Sequence, residues 1–164
     1  MEIPIRDSYR VADGLLAGEY PGSSDPELAV RRLGAFERYG ITLFVDLTHP
    51  ADPLEPYVRL LGAGARRTSH PIVDLGTPTI PHMTRILDEV DAALAARETV
   101  YVHCWGGIGR TGTVVGCWLV RHGLDGGDAI ARIAELRRHV SDAFVLSPQT
   151  AAQRAMVRAW RPGR

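Results

Sequence analysis

A ten-residue run from position 103 to position 112 combines a cysteine, an arginine and four glycines in a pattern that predicts anion chemistry. It consists of His103, Cys104, Trp105, Gly106, Gly107, Ile108, Gly109, Arg110, Thr111 and Gly112. The β-branched and aromatic residues 99–102 before it are typical of a short buried strand, and the mostly apolar residues 113–120 after it predict a buried helix. The run is therefore predicted to be a strand-to-helix loop.

Such a loop ends at the first turn of a helix, whose free N–H groups and positive dipole end favour a bound anion. Glycines let the backbone curl closely around the ligand. The guanidinium of Arg110 can grip two phosphoryl oxygens at once. We expect the loop to hold a phosphoryl dianion through Trp105, Gly106, Gly107, Ile108, Gly109 and Arg110.

The same positive field favours the thiolate form of Cys104, which is the nucleophilic form of a cysteine. The hydroxyl of Thr111 is expected near the sulfur, where it would stabilise the thiolate when sulfur is the leaving group. His103 is expected to orient the loop by hydrogen bonding. The alternative is that Cys104 is an inert buried residue beside a glycine-rich turn.

This run resembles the signature of the protein tyrosine phosphatase superfamily, in which His-Cys is followed by five residues, an arginine and a serine or threonine. The segment from His70 to Pro78 is similar to one in small dual-specificity phosphatases, particularly the cyclin-dependent-kinase-associated, inhibitor-3-like branch. The resemblance implies a metal-independent phosphatase that hydrolyses protein phosphotyrosine through a phosphocysteine intermediate. It leaves open whether phosphoserine and phosphothreonine are also substrates.

Expulsion of a serine, threonine or tyrosine oxygen from phosphorus is easier when a proton arrives as the bond breaks. Asp74 is the candidate acid, because it follows a short apolar stretch and precedes Gly76 and Pro78. This places it on a loop at the carboxyl edge of the sheet, where open α/β sheets bind ligands. The alternative is that Asp74 caps a helix that begins near Thr79.

A late segment predicts another helix, with Ser147 as its N-cap and Pro148 at its first position. Gln149 and Gln153 are then four residues apart and share one helix face. The family resemblance suggests that Gln149 orients the water that hydrolyses the phosphocysteine, with Gln153 as a weaker second candidate. The alternative is that both glutamines are ordinary solvated residues.

Length, charge and composition predict the number of domains and the kinds of ligand. A length of 164 residues predicts one phosphatase domain spanning residues 1–164. The net charge is zero, with 19 basic residues that are all arginine, so we expect neither nucleic-acid nor membrane binding. The six histidines lack metal-ligand spacing, so no metal and no cofactor are expected. We expect Cys117 to be a core residue, although a redox role for it stays open.

No signal peptide or membrane-spanning run is evident in the sequence, which favours a cytoplasmic monomer that acts on a phosphorylated protein or peptide. Apolar runs at 15–18, 41–47 and 67–73 predict strands, and periodic segments at 25–39, 83–94, 128–139 and 148–160 predict helices, with a short helix at 54–61. This alternation predicts an α/β fold with a mostly parallel central sheet flanked by helices on both faces.

Two other functions are compatible with the same loop. Members of the superfamily that cleave RNA 5′-triphosphate or inositol phosphates tend to carry lysine inside the loop, and this loop has none. On the loop just after the nucleophile, Trp105 would instead offer an aromatic rim for a phosphotyrosine ring. A non-catalytic pseudophosphatase is the second alternative, although such proteins usually lose the cysteine, the arginine or the acid.

Overall fold

A computed structural model of the chain describes residues 3–164, and its centre is a five-stranded sheet. The strands are β1 (Ser8–Ala12), β2 (Leu15–Gly18), β3 (Leu43–Asp46), β4 (Arg66–Ser69) and β5 (Val100–His103), and they lie in the order β1-β2-β5-β3-β4. Only β1 pairs antiparallel with its neighbour; the other pairs are parallel. The predicted mostly parallel sheet is confirmed.

Within residues 3–164, five α-helices cover the two faces of this sheet. They are α1 (Pro26–Tyr39), α2 (Ile80–Ala95), α3 (Arg110–Arg121), α4 (Gly126–Leu136) and α5 (Ala151–Ala159). Helix α1 packs Leu33 and Phe36 with Phe44 and Tyr101 on one face. The other helices contribute to a second core cluster that takes the alternate side chains of the same strands, such as Val45 and Val102.

The carboxyl ends of the four parallel strands are in register at one edge of the sheet. Gly18 pairs with His103, His103 pairs with Asp46, and Asp46 pairs with Ser69. The loops that follow these residues therefore emerge side by side. One of them is the loop from Cys104 to Gly109, which leads from the central strand β5 into α3.

Local sequence signals explain where α1 begins and ends. The Asp25 carboxylate accepts hydrogen bonds from the N–H groups of Glu27 and Leu28, and Pro26 occupies the first helical position. Gly40 ends the helix with a left-handed φ of 93°. Because all of these signals lie within the helix and its caps, the sequence predicted this element correctly.

Several predicted elements were wrong in extent, including the helix predicted over 128–139, which spans Gly126–Leu136, and one was missed. Residues 54–61 contain only a 3₁₀ turn, Val58–Leu60, which follows an irregular loop with three prolines at positions 50, 53 and 56. The strand predicted over 67–73 ends at Ser69. The last helix begins at Ala151 rather than at Pro148. Strand β1 was not predicted, because its sequence, SYRVA, is short and contains an arginine.

The correct start of α5 follows from a capping box that sequence reasoning missed. Thr150 Oγ1 accepts a hydrogen bond from the N–H of Gln153, and the Gln153 side chain accepts one from the N–H of Thr150. The hydroxyl of Ser147, the predicted cap, instead donates to the carbonyl of Ile108 at 2.7 Å. Ser147 therefore supports the cysteine loop and does not cap the helix.

Candidate active site

Cys104 and Arg110 lie at the two ends of the loop between β5 and α3, and both side chains are buried. Within residues 3–164, the backbone N–H groups of residues 105–110 donate no hydrogen bond to a protein atom. A loop with this many free donors at a helix N-terminus is an anion-binding arrangement. The structure thus brings together the cysteine, the arginine and the donors that the sequence predicts for a phosphoryl site.

Gly107 has a backbone conformation and surroundings that exclude any side chain. Its φ is +70°, and a Cβ there would lie 2.4 Å from the carbonyl carbon of Gly18 and 2.6 Å from the backbone nitrogen of Glu19. A further hydrogen bond runs from the N–H of Tyr20 to the carbonyl of Trp105 at 2.8 Å. The loop is therefore held directly against the end of β2.

One end of the Arg110 guanidinium is fully engaged by protein groups. Its Nη1 donates to Asp52 Oδ2 at 2.6 Å and to the carbonyl of Ile72 at 3.0 Å. Its Nε and Nη2 are buried and have no hydrogen-bond partner among the described residues, although Nη2 lies 3.1 Å from Asp74 Oδ1 in an ion pair. The Nε–Nη2 edge can donate two parallel hydrogen bonds to the oxygens of a phosphoryl group.

Sequence reasoning missed Asp52. It lies on the loop after β3, at the same sheet edge as Cys104, and its side chain is nearly buried. The carboxylate also accepts a hydrogen bond from the N–H of His49 at 3.0 Å. The signal that could have found it is the one used for Asp74, an acidic residue that closely follows a strand of a parallel sheet.

Asp74 lies on the loop after β4, and its side chain is 52% exposed. The alternative that it caps α2 is wrong, because Thr79 is the N-cap and its hydroxyl accepts a hydrogen bond from the N–H of His82. The residue after Asp74 is Leu75, whose φ of 62° lies in the left-handed region that favours glycine. Asp74 is thus on a sharply bent loop, with its carboxylate at the open edge of Arg110.

His103 is buried beneath the loop, and burial lowers its pKa, so the ring is neutral at neutral pH. Its Nδ1 lies 3.2 Å from the carbonyl of Cys104, which can only accept, so Nδ1 carries the proton. The Tyr57 hydroxyl, kept protonated because burial raises its pKa, donates to Nε2 at 2.7 Å. His103 therefore links the Tyr57 hydroxyl to the backbone carbonyl of Cys104 by hydrogen bonds.

Asp46 lies behind His103, with Oδ1 3.9 Å from Nδ1. Burial acts to raise the pKa of Asp46, but the adjacent His103 and the hydrogen bonds from Thr48 and Arg67 outweigh it and lower that pKa. The carboxylate therefore satisfies buried donors. Arg67 is thereby an ion-pair partner in the scaffold.

Thr111 and the two glutamines differ in whether their side-chain polar groups have hydrogen-bond partners. Thr111 is buried, and its hydroxyl has no hydrogen-bond partner within residues 3–164. The amide of Gln153 is committed to Thr150 and to the carbonyl of Gly76, to which Nε2 donates at 3.0 Å. Gln149 precedes α5, so the two glutamines do not share a helix face, and its side chain is exposed beside Gly109.

The second cysteine of the chain is Cys117. Cys117 is buried in the core within α3, and burial raises the pKa of its thiol to about 12. Among the described residues, there is no group of three or more His, Cys, Asp or Glu side chains that could hold a metal ion. No helix within residues 3–164 combines the length and the apolar character needed to cross a bilayer.

The fold and the site together define a domain of the protein tyrosine and dual-specificity phosphatase class. Residues 22–163 match the family model described as "Swiss Army Knife protein, DSP-PTPase phosphatase domain", so the chain belongs to that family. The resemblance drawn from residues 103–112 and 70–78 is confirmed. The domain is of the small dual-specificity type.

Relatives match parts of the chain. Human cyclin-dependent kinase inhibitor 3 is 39% identical over 51 residues, which is 31% of this chain and 24% of that protein. A putative tyrosine phosphatase of invertebrate iridescent virus 3 is 30% identical over 118 residues, which is 68% of this chain and 45% of the viral protein. The chain thus matches less than half the length of either relative.

Solved structures share the fold at lower identity. A kinase associated phosphatase with serine in place of its catalytic-site cysteine has a TM-score of 0.76 at 20% identity, covering 92% of this chain and 90% of that one. Tk-PTP in its active form has a TM-score of 0.74 at 21% identity, covering 92% and 93%. PTPMT1 in complex with PI(5)P has a TM-score of 0.70 at 21% identity, covering 93% and 92%.

Proposed function

We propose that the protein hydrolyses phosphotyrosine in proteins, and phosphoserine or phosphothreonine where they reach the loop, through a phosphocysteine intermediate and without a metal. One observation carries the proposal. The buried Nε–Nη2 edge of Arg110 has no hydrogen-bond partner in the described chain, and it lies at the end of a loop of free N–H groups that begins at Cys104. These donors suit a phosphoryl dianion.

In the first step, the Cys104 thiolate attacks phosphorus, the S–P bond forms and the bond to the substrate oxygen breaks. Asp74, as the carboxylic acid, gives its proton to that leaving oxygen. The dianion takes the open edge of Arg110, where Asp74 lies 3.1 Å from Nη2 in the structure, so the acid is already beside the site of bond cleavage.

In the second step, water attacks phosphorus, passes a proton to the Asp74 carboxylate and releases the Cys104 thiolate and inorganic phosphate. The free hydroxyl of Thr111 stabilises the thiolate as it leaves. The exposed Gln149 beside Gly109 is the residue available to orient the water, since the amide of Gln153 is already engaged. Gln153 serves as a positioning residue between α5 and the loop that carries Asp74.

Residues 1–164 are proposed to act as a single phosphatase domain. The two core clusters of the described chain lie on opposite faces of one sheet, which supports this proposal. We likewise propose that the protein is cytoplasmic and monomeric.

The test is hydrolysis of para-nitrophenyl phosphate and of a phosphotyrosine peptide in the presence of EDTA. We expect turnover by the unmodified chain and less than about 1% of it in Cys104→Ser, because a serine hydroxyl is not ionised in this field. Acid quenching during turnover should trap a phosphorylated chain that carries the phosphoryl group on Cys104. Turnover that needs a metal, or that survives in Cys104→Ser, would refute the proposed mechanism.

A further inference from the structure

Large apolar side chains are exposed on the three loops that surround Cys104. We name this set the apolar rim: it consists of Val73, Leu75, Trp105, Phe144 and Leu146. Their exposed fractions range from 45% for Trp105 to 87% for Phe144. Single exposed apolar residues are ordinary on a protein surface, but a group of them around a site marks a binding surface. The side chains of the rim take no part in the chemistry described above.

Hydrogen bonds and an ion pair join the three loops around the site. Arg110 contacts both the carbonyl of Ile72 and the carboxylate of Asp74, so Val73 between them is held at the cysteine loop. The hydroxyl of Ser147, directly after Leu146, donates to the carbonyl of Ile108 in that same loop. The rim side chains are therefore presented by a framework that is fixed to the phosphoryl site.

Leu75 supplies an independent reason to assign the rim a role. Its φ of 62° is one that glycine adopts without strain and leucine does not. The leucine side chain is half exposed, so burial in the core does not compensate for this strain. A large apolar side chain kept on a strained, exposed position next to Asp74 indicates a contact with something outside the chain.

The charge of the loops indicates what that partner is. Residues 70–79, 104–109 and 140–149 contain two aspartates and no lysine or arginine. A surface that binds anionic lipid or a polyphosphate carries basic side chains around its apolar contacts. The arginines that contact these loops from elsewhere are engaged by protein groups: Arg137 pairs with Asp142 and donates to the carbonyl of Val145, and Arg154 donates to the carbonyls of Pro148 and Gln149. The rim suits instead the uncharged, apolar side chains that flank a phosphorylated residue in a peptide.

We infer that the apolar rim is a specificity surface, which selects phosphopeptides with large apolar residues on either side of the phosphorylated residue. The inference rests on the proposed function for its phosphoryl anchor. It adds a preference that the phosphoryl site cannot supply, because Cys104, Arg110 and the free N–H groups contact only the phosphoryl group. The rim is the part of the surface that contacts the peptide side chains on either side of the phosphorylated residue.

The test measures binding, so that it does not depend on turnover. Fluorescein-labelled phosphotyrosine peptides with leucine, serine or glutamate at the two positions before and after the tyrosine are titrated into Cys104→Ser. We expect the leucine-flanked peptide to bind at least about 10-fold more tightly than the serine-flanked one, and the glutamate-flanked one to bind most weakly. Equal affinities for leucine and serine flanks would overturn the inference.

The rim itself is tested by Phe144→Ser/Leu146→Ser in the same Cys104→Ser background. The preference for leucine flanks should fall to less than about 3-fold. The matched control is Leu28→Ser/Val30→Ser, which changes two exposed apolar residues on α1, on the other face of the sheet, and should keep the preference. A preference that survives in the rim variant would overturn the assignment to these residues.

The same proteins also test whether the partner of the rim is a lipid. If the Cys104→Ser chain pellets with vesicles of phosphatidylcholine and phosphatidylglycerol, and the rim variant does not, the rim is a lipid-binding surface and the inference is wrong. Turnover of the leucine-flanked peptide by the unmodified chain reports separately on the proposed function. A binding preference without turnover would uphold the rim and refute the phosphatase proposal; turnover without preference would do the reverse.

Discussion

Asp52 Oδ2 lies 2.6 Å from Arg110 Nη1, and both side chains are almost completely buried, although 58 residues separate them along the chain. The same carboxylate oxygen accepts the N–H of His49, so it is itself fixed by the backbone of its loop. This ion pair determines which edge of the guanidinium is committed to protein groups. The other edge, Nε and Nη2, is thereby oriented for a phosphoryl group.

The first prediction follows from this orientation. Asp52→Asn should weaken the binding of vanadate by roughly 10-fold, because a neutral amide holds the guanidinium less firmly than a carboxylate does. The affinity is measured by titrating vanadate against hydrolysis of para-nitrophenyl phosphate. Asp52→Glu should restore part of it, since the carboxylate returns.

A matched control is available for the Asp52 prediction. Arg137 is also buried, and its Nη2 lies 2.6 Å from Asp142 Oδ1. Asp142→Asn removes an ion pair of the same kind and length, and should lower thermal stability without changing vanadate affinity. Equal losses of vanadate affinity in the two variants would mean that Asp52 acts only on the stability of the fold.

The second prediction concerns Gly107. Gly107→Ala should lower the free energy of unfolding by about 2 kcal/mol or more, because its Cβ would overlap the backbone at Gly18 and Glu19 and its φ is positive. Gly106→Ala is the control, since the nearest atom to its Cβ would be a side-chain carbon of Ile108 at 3.6 Å. That variant should lose about 1 kcal/mol or less. Similar losses in urea unfolding would contradict the prediction.

The third prediction is a dependence of stability on pH. The pKa of His103 is lowered from 6.5 by burial, so below pH 6.5 the unfolded chain binds a proton that the folded chain does not. This contribution to stability is full above pH 6.5 and declines as pH falls below it, by at most about 1.4 kcal/mol per pH unit. Melting temperatures at pH 8, 6.5 and 5.5 would show the decline.

The His103 contribution is isolated by comparing two histidine variants. His103→Asn lacks the titrating group, so its decline between pH 6.5 and pH 5.5 should be smaller than that of the unmodified chain, even if its stability is lower throughout. His122→Gln changes a partly exposed histidine on the far end of α3 and should keep the decline. A slope that is the same in all three proteins would exclude His103 as its source.

The sequence predicted the parts of the site whose residues are close together in the chain. The loop from Cys104 to Arg110 is a single run, and its flanking strand and helix are encoded next to it. Asp52 could not be found in this way, because what distinguishes it is contact with a residue 58 positions away. The position of Asp74 was predicted, but its contact with Arg110 depends on the register of β3, β4 and β5.

The start of α5 could not be predicted from local sequence, because two possible N-caps lie close together in the chain. Ser147-Pro148 and Thr150 with Gln153 both predict a helix N-terminus, and the sequence does not show which hydroxyl is engaged elsewhere. The hydroxyl of Ser147 binds the carbonyl of Ile108, a contact across 39 residues, and so the helix begins three residues later. This shift moves Gln149 out of the helix and leaves its side chain free.

The last prediction concerns Asp74. If Asp74 is the general acid, Asp74→Asn should lower kcat by roughly 10² to 10⁴ with a phosphotyrosine peptide, and by much less with an activated aryl phosphate, because a good leaving group needs little protonation. The measurement is a series of aryl phosphates of increasing leaving-group pKa, and the variant should show a steeper dependence than the unmodified chain. Asp142→Asn, whose carboxylate pairs with Arg137, should keep the shallow dependence. If Asp74→Asn lowers all rates by the same factor, its ion pair with Arg110 matters for binding alone, and the proton donor must be sought at another residue of the carboxyl edge.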